Sequence, residues 1–292
     1  MRLFILSMSI VYSLLSIQLY AQSIEEKSLH IKLKNQGIER ECYFYKPKDL
    51  PTQSPLVIIL HGYGGNAQSQ TSKFIDLADK EGFAVCYPQG AKDRNNQNCW
   101  NVGYPFQSDY MINDLQFIRD LVTYLQKEYH LSEKNIFLTG MSNGGEMCYL
   151  FAMESPQTFQ AIASIAGLTL TEMKRVYSHP IPFMEVHGTN DKISLWKGDP
   201  TNAGGWGSYL SVPVAISYLV ATNKCTHEVT EHLPRLRNEV ILHKFMGGLP
   251  AWEGGPEVEV WLYEVIQGDH SWATIDMDTE TEVWNFFKKY IK

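Results

Sequence analysis

The segment "NIFLTGMSNGGEMCYLFAMES" (135–155) runs from a continuous apolar stretch, through a glycine cluster around one serine, into residues at helical spacing. A strand that turns into a helix within so few residues leaves little room at the turn. Side chains at Gly140 and Gly144 would clash there, and Ser142 itself is forced into a strained backbone conformation. The helix that follows aims its positive end at the same point. A serine before a helix can also be a plain N-cap. The strand–glycine–serine–glycine–helix order reads instead as a nucleophile held clear of a sheet.

The rest of the chain has the organisation such a turn requires. "SPLVIIL" (54–60), "FAVCYP" (83–88), "NIFLTG" (135–140), "QAIASIAG" (160–167) and "IPFMEVHG" (181–188) are apolar runs of strand length, typical of strands covered on both faces. Between and after them, 72–82, 111–130, 211–223 and 279–291 have helical spacing. In 111–130, Ile112, Leu115, Ile118, Val122 and Leu125 form one stripe. "LHIKLK" (29–34) and "RECYFYKP" (40–47) predict an opening antiparallel hairpin, and "EVEVWLYEVI" (257–266) a late strand. This alternation predicts an α/β fold: a mainly parallel central sheet flanked by helices, with antiparallel strands at its N-terminal edge. Residues 22–292 read as a single domain, with an irregular, glycine-rich insertion around 192–256 that holds short strand-like runs.

The N-terminal "MRLFILSMSIVYSLLSIQLYAQS" has one positive residue, an apolar run and a small residue at Ala21. That layout predicts a signal peptide over 1–21 and an exported protein, periplasmic or extracellular; an uncleaved membrane anchor is the alternative. After cleavage no stable membrane association is expected. With 25 Lys and Arg against 32 Asp and Glu, the net charge of -7 offers no basic face for nucleic acid. Of the five cysteines, Cys86 and Cys148 read as buried small hydrophobes, and Cys42, Cys99 and Cys225 allow at most one disulfide. No cysteine or histidine spacing suggests a metal site, and no cofactor is expected.

A serine hydroxyl is a weak nucleophile unless a histidine takes its proton and an acid holds that histidine. In α/β-hydrolases the order along the chain is Ser, acid, His. Asp191, in "EVHGTNDKIS", follows the strand that ends near 187, and His270, in "IQGDHSWA", follows the strand 257–266. Asp269 competes as the acid, but it adjoins His270 and its side chain should point elsewhere; Asn190 and Asp199 are less well placed. His227, His232 and His243 read as solvated or structural, and His187 as a packed, hydrogen-bonded residue. Two N–H groups must meet the oxyanion. One is that of Asn143, after the nucleophile, and the other that of Tyr63, in the tight turn "LHGYGGN" (60–66), which His61 is expected to brace.

With these segments in view, the chain resembles the polyhydroxybutyrate-depolymerase-like and feruloyl-esterase branch of carbohydrate esterase family 1, within the α/β-hydrolase fold. The resemblance rests on "PLVIILHGYGGNAQ", "YPQGAKDRNNQNCWN", "INDLQFIRDLVTYLQKEYHLSEKNIFLTGMSNGGEM", "IASIAG", "VHGTND" and "GDHSW". It implies Ser142, Asp191 and His270 as a triad, with Tyr63 at the oxyanion site. It also implies a secreted serine esterase that removes feruloyl or acetyl groups from plant polysaccharides such as xylan, or else cleaves hydroxybutyrate polyesters or oligomers. Ester-substituted polysaccharide, oligosaccharide or a small ester is then the expected partner. Two departures stand out: the histidine segment lacks the usual proline after its tryptophan, and no cysteine lies between Cys225 and His270 to pair with Cys225. Trp100, Trp196, Trp206 and Trp272 fall in or beside the loops expected over the site. Their indoles can stack on a feruloyl ring or a sugar, or simply pack the loops. More distant readings are a serine peptidase and a catalytically idle carbohydrate-binding protein.

Overall fold

In the third strand, Leu56, Ile58 and Leu60 join one buried cluster while Val57 and Ile59 join another. Side chains on a strand alternate between faces, so an unbroken apolar run is what a strand covered on both sides needs. The structure, a computed structural model, describes residues 27–173 and 177–292. The expected signal peptide over 1–21 lies outside the described residues.

The strands are β1 (Leu29–Asn35), β2 (Ile38–Tyr45), β3 (Leu56–Leu60), β4 (Ala84–Pro88), β5 (Ala91–Lys92), β6 (Asn98–Cys99), β7 (Ile136–Met141), β8 (Ala161–Ile165), β9 (Phe183–Gly188), β10 (His227–His232), β11 (Val240–Met246) and β12 (Val260–Val265). Ten of them form one sheet in the order β1-β2-β4-β3-β7-β8-β9-β12-β11-β10, and β5 and β6 pair separately. The run from β4 to β12 is parallel. Antiparallel strands flank it on both sides: β1 and β2 at one edge, β11 and β10 at the other.

The second antiparallel edge adds to the one expected at the N-terminal side, and it lies within the glycine-rich stretch 192–256 in which the sequence offered only short strand-like runs. Residues 227–232 and 240–246 are regular paired strands. The residues of β10 are exposed along its whole length, so no alternation of apolar residues marks it.

Helix α1 (Ile75–Glu81) and helix α5 (Thr279–Lys288) cover one face of the sheet through Ile75, Ala78, Val283, Trp284, Phe286 and Phe287. Helices α2 (Asp114–Tyr129), α3 (Asn143–Glu154) and α4 (Val212–Asn223) cover the other. Helix α2 starts where Asn113 caps it, its side chain accepting from the Gln116 N–H at 2.9 Å, and it buries Phe117, Ile118, Leu121, Val122 and Leu125. Ile112 precedes the helix, so the stripe begins one turn later than the spacing suggests. All five cysteines are free thiols. None of the described helices is long and apolar enough to cross a membrane.

Candidate active site

The turn from β7 into α3 holds Ser142 at φ 56°, ψ −122°, a region that side chains other than glycine rarely enter and that costs on the order of 1–3 kcal/mol. Two hydrogen bonds pin it: the Ser142 N–H donates to Ile165 O at 2.8 Å, and Ser142 O accepts from the Glu146 N–H at 2.8 Å. The glycine spacing has a direct steric cause. A Cβ on Gly140 would stand 2.7 Å from the Gly144 backbone and 2.8 Å from Leu60 Cβ, and one on Gly144 would stand 2.5 Å from Leu60 O. The turn therefore nests against the end of β3, beside the loop that follows it.

Asp191 sits just past β9, buried. Its Oδ1 accepts the N–H groups of Ile193 at 2.8 Å and Ser194 at 2.9 Å, a local turn that fixes the carboxylate. Its Oδ2 accepts His270 Nδ1–H at 2.7 Å, although the two residues are 79 positions apart in the chain. The loops carrying them are tied together where the Asn190 N–H donates to Gly268 O at 3.0 Å. With Nδ1 spent on Asp191, His270 Nε2 has no protein partner among the described residues. No hydrogen bond yet joins Ser142 Oγ to His270 there, a gap common in ligand-free hydrolytic sites. Asp269, the competing acid, is exposed and pairs with Arg237 Nη2 at 3.3 Å. Asp199 instead binds its own loop, accepting the Gly204 N–H at 2.8 Å.

The loop after β3 runs alongside Ser142: a Cβ on Gly62 would lie 3.3 Å from Ser142 Cβ. The Asn143 N–H, as the first of α3, has no intrahelical acceptor, and the Tyr63 N–H has none among the described backbone bonds. His61 is fully buried. Its Nδ1–H donates to Gly62 O at 2.7 Å, and its Nε2 accepts the Gly90 N–H at 3.0 Å. Burial pushes its pKa down to about 4, so the ring is neutral and shapes the turn, as the sequence led one to expect.

Trp100 has a different place from the one expected of a substrate contact. It is 0% exposed. Its Nε1–H donates to His61 O at 2.8 Å, its N–H donates to Asn143 Oδ1 at 2.7 Å, and its carbonyl accepts from Asn143 Nδ2 at 3.1 Å. Trp100 therefore clamps the two segments carrying the candidate oxyanion amides, and no ligand can reach its ring. Trp272 is also withdrawn, packed in the core below the His270 loop with Lys73 Nζ 4.5 Å from its ring. Trp206 is half-buried and stands edge-on to Tyr63 at 5.3 Å and to Phe106 at 6.0 Å. These rings, with Tyr104 beneath, form an aromatic shelf beside the oxyanion loop, and Tyr63 OH anchors it by donating to Asp93 Oδ2 at 2.7 Å. Trp196 lies away from that shelf, edge-on to the buried His187 ring at 6.0 Å.

Sequence reasoning missed a polar layer under α3. Tyr104 OH donates to Glu146 Oε2, and Asn143 Nδ2 reaches Tyr104 OH at 3.3 Å. Complete burial raises the Glu146 carboxyl to about 8, against the lowering effect of the Tyr104 and Asn143 bonds. The Glu is thus mostly protonated at neutral pH. Its only sequence signal is a glutamate four positions after the serine. Among the described residues no group of three or more His, Cys, Asp or Glu could hold a metal ion.

Comparison with known proteins places the fold and the family. A bifunctional acetylxylan esterase/xylanase of Neocallimastix patriciarum is 29% identical over 169 residues, 57% of this chain and 24% of that protein. Feruloyl esterase B of Neurospora crassa is 32% identical over 129 residues, 43% of each chain. The matched stretch thus spans less than half the length of these relatives. Among solved structures, an acetyl xylan esterase from Aspergillus awamori superposes with a TM-score of 0.61 at 16% identity, covering 88% of this chain and 99% of that one. An S-formylglutathione hydrolase from Agrobacterium tumefaciens gives 0.57 at 12% identity, covering 90% and 95%. At such identities they speak for the fold, that of the α/β-hydrolases. The profile of one family matches residues 42–217, from β2 through the Ser142 turn and Asp191 into α4. The chain belongs to the PHB depolymerase esterase family.

Proposed function

We propose that this protein is a serine carboxylic-ester hydrolase acting on acetyl or feruloyl groups of plant cell-wall polysaccharide, with Ser142, His270 and Asp191 as its triad. The observation that carries this reading is the bond from His270 Nδ1 to the buried Asp191 at 2.7 Å. It fixes the tautomer that leaves Nε2 free to serve as the base for Ser142 in this reading.

In this reading, Ser142 Oγ attacks the ester carbonyl carbon as its proton passes to His270 Nε2. The N–H groups of Tyr63 and Asn143 receive the oxyanion, and Asp191 steadies the imidazolium. Collapse expels the alcohol, which leaves with the proton from His270, and the acyl group stays on Ser142. Water, deprotonated by His270, attacks the acyl carbon; the acid departs and Ser142 regains its proton. The half-buried Trp206 and Phe106 give a sugar or an aromatic acyl group a flat surface beside the oxyanion loop. Residues 1–21 serve as the export signal, and residues 22–292 as one catalytic unit. The acetylxylan and feruloyl esterases among the relatives support the polysaccharide substrate. The family description favours a second substrate, short hydroxybutyrate polyesters.

The test is product release by the mature chain from acetylated xylan, feruloylated arabinoxylan oligosaccharides and hydroxybutyrate oligomers, with Ser142→Ala as control. Serine-dependent acetate or ferulate is the expected result. Release of hydroxybutyrate alone selects the second substrate, and release unaffected by Ser142→Ala overturns the mechanism.

A further inference from the structure

Asp191 faces two imidazoles. Its Oδ2 lies 2.7 Å from His270 Nδ1 and 3.6 Å from His187 Nε2. His187 is 1% exposed, and each of its nitrogens has an acceptor: Ser194 O at 2.7 Å from Nε2, and Glu185 Oε1 at 2.8 Å from Nδ1. A carbonyl oxygen only accepts, so Nε2 carries a proton. The second proton lies on the line between Nδ1 and Glu185, itself fully buried on β9. Glu185 Oε1 also accepts the Gly167 N–H at 3.3 Å, and among the described residues its Oε2 has no hydrogen-bond partner.

We propose that His187, backed by Glu185, is a positioning residue that shares the Asp191 carboxylate with His270 and so moderates the pull of Asp191 on the His270 proton. The inference rests on the triad reading above. Three acceptors surround the ring: Glu185 on β9, Ser194 O in the following loop, and Asp191. Burial works against a charge on His187, but the bond to Glu185 and its charge, then Ser194 O and Asp191, hold its pKa above the ordinary value. Burial likewise raises the Glu185 carboxyl, against the lowering pull of His187, so the two buried groups share the proton between them. From α3, Glu146 lies within electrostatic reach of Glu185, and burial keeps it largely neutral. Tyr149, which also interacts with Glu185, stays un-ionised because burial raises it. Trp196 closes the remaining side of the ring. On the His270 side, Asp269 is exposed and paired with Arg237. Among the described residues, His187 is the second imidazole within ion-pair distance of Asp191, at 3.6 Å.

An imidazolium beside a carboxylate weakens the hold of that carboxylate on another proton donor. Glu185→Gln preserves shape but removes the acid that shares a proton with His187 Nδ1; the ring remains able to donate to Ser194 O. The experiment measures kcat and KM against pH for wild type, Glu185→Gln, His187→Gln and Asp191→Asn, with a soluble acetate ester in a pH-stat and with melting curves for each. For Glu185→Gln the acidic limb of kcat/KM should move up by roughly half to one pH unit. Its kcat should fall about three- to tenfold, with KM within about twofold. His187→Gln should move the limb in the same direction. A folded Glu185→Gln or His187→Gln whose limb stays with wild type, whatever its kcat, overturns the proposal. If Asp191→Asn keeps full activity, the triad reading fails first, a result separate from an unmoved limb in the other variants.

Discussion

At the scale of single residues, the site is governed by where a side chain has no room and where a buried polar atom has one partner. Gly144→Ala would set a methyl 2.5 Å from Leu60 O and 2.8 Å from His61 O, both backbone atoms that cannot swing aside. The expected cost is about 1–3 kcal/mol, read as a lower melting temperature, with esterase activity lost alongside. A melting curve matching wild type would contradict the tight nesting of the turn. Trp100→Phe keeps most of the ring but removes the donor to His61 O. A buried carbonyl deprived of its partner costs about 1–3 kcal/mol, and the loop carrying the Tyr63 N–H loosens. The expected kinetic result is a fall in kcat of roughly tenfold with KM little changed.

At the scale of elements, the parallel strands and their helices were legible because each buries both faces and so shows as an apolar run or stripe. The candidate triad was legible for a related reason: Ser142, Asp191 and His270 each follow directly on such a strand, β7, β9 and β12. The β10–β11 hairpin showed only as short strand-like runs, since "HEVTEH" faces solvent and carries no apolar period. Trp100 was misread because its partners are remote, His61 by 39 positions and Asn143 by 43; only the tertiary fold shows that its loop passes beneath the turn rather than over it. Trp206 is held by a loop that binds itself, through Asp199 to the Gly204 N–H at 2.8 Å and Asn202 Oδ1 to the Gly207 N–H at 2.7 Å. That preformed shelf predicts that Trp206→Ala raises KM for xylan-derived esters several-fold while leaving kcat for a small acetate ester nearly unchanged. An equal loss on both substrates would mean that the ring packs the site rather than binding substrate.

At the scale of the whole molecule, the buried polar layer under α3 ties stability to pH. Glu146 titrates near its ordinary 4.5 when unfolded and at about 8 when folded. The folded state therefore holds a proton that the unfolded state has released. That contribution is complete below about 4.5 and is lost as pH rises through about 8. His61 acts in the opposite sense: with its pKa lowered from 6.5 to about 4, its contribution is complete above 6.5 and lost as pH falls through 4. Glu146→Gln should therefore flatten the decline in melting temperature between pH 5 and 8 and leave the acid side unchanged; a wild-type curve that does not fall over that range contradicts the buried neutral acid. The central claim, that Ser142 forms the covalent bond, is tested most directly by a fluorophosphonate probe with peptide mass mapping. The account predicts one label per chain, on Ser142, with ester hydrolysis lost in proportion and no label in Ser142→Ala. Hydrolysis that persists while Ser142 stays unlabelled would contradict it.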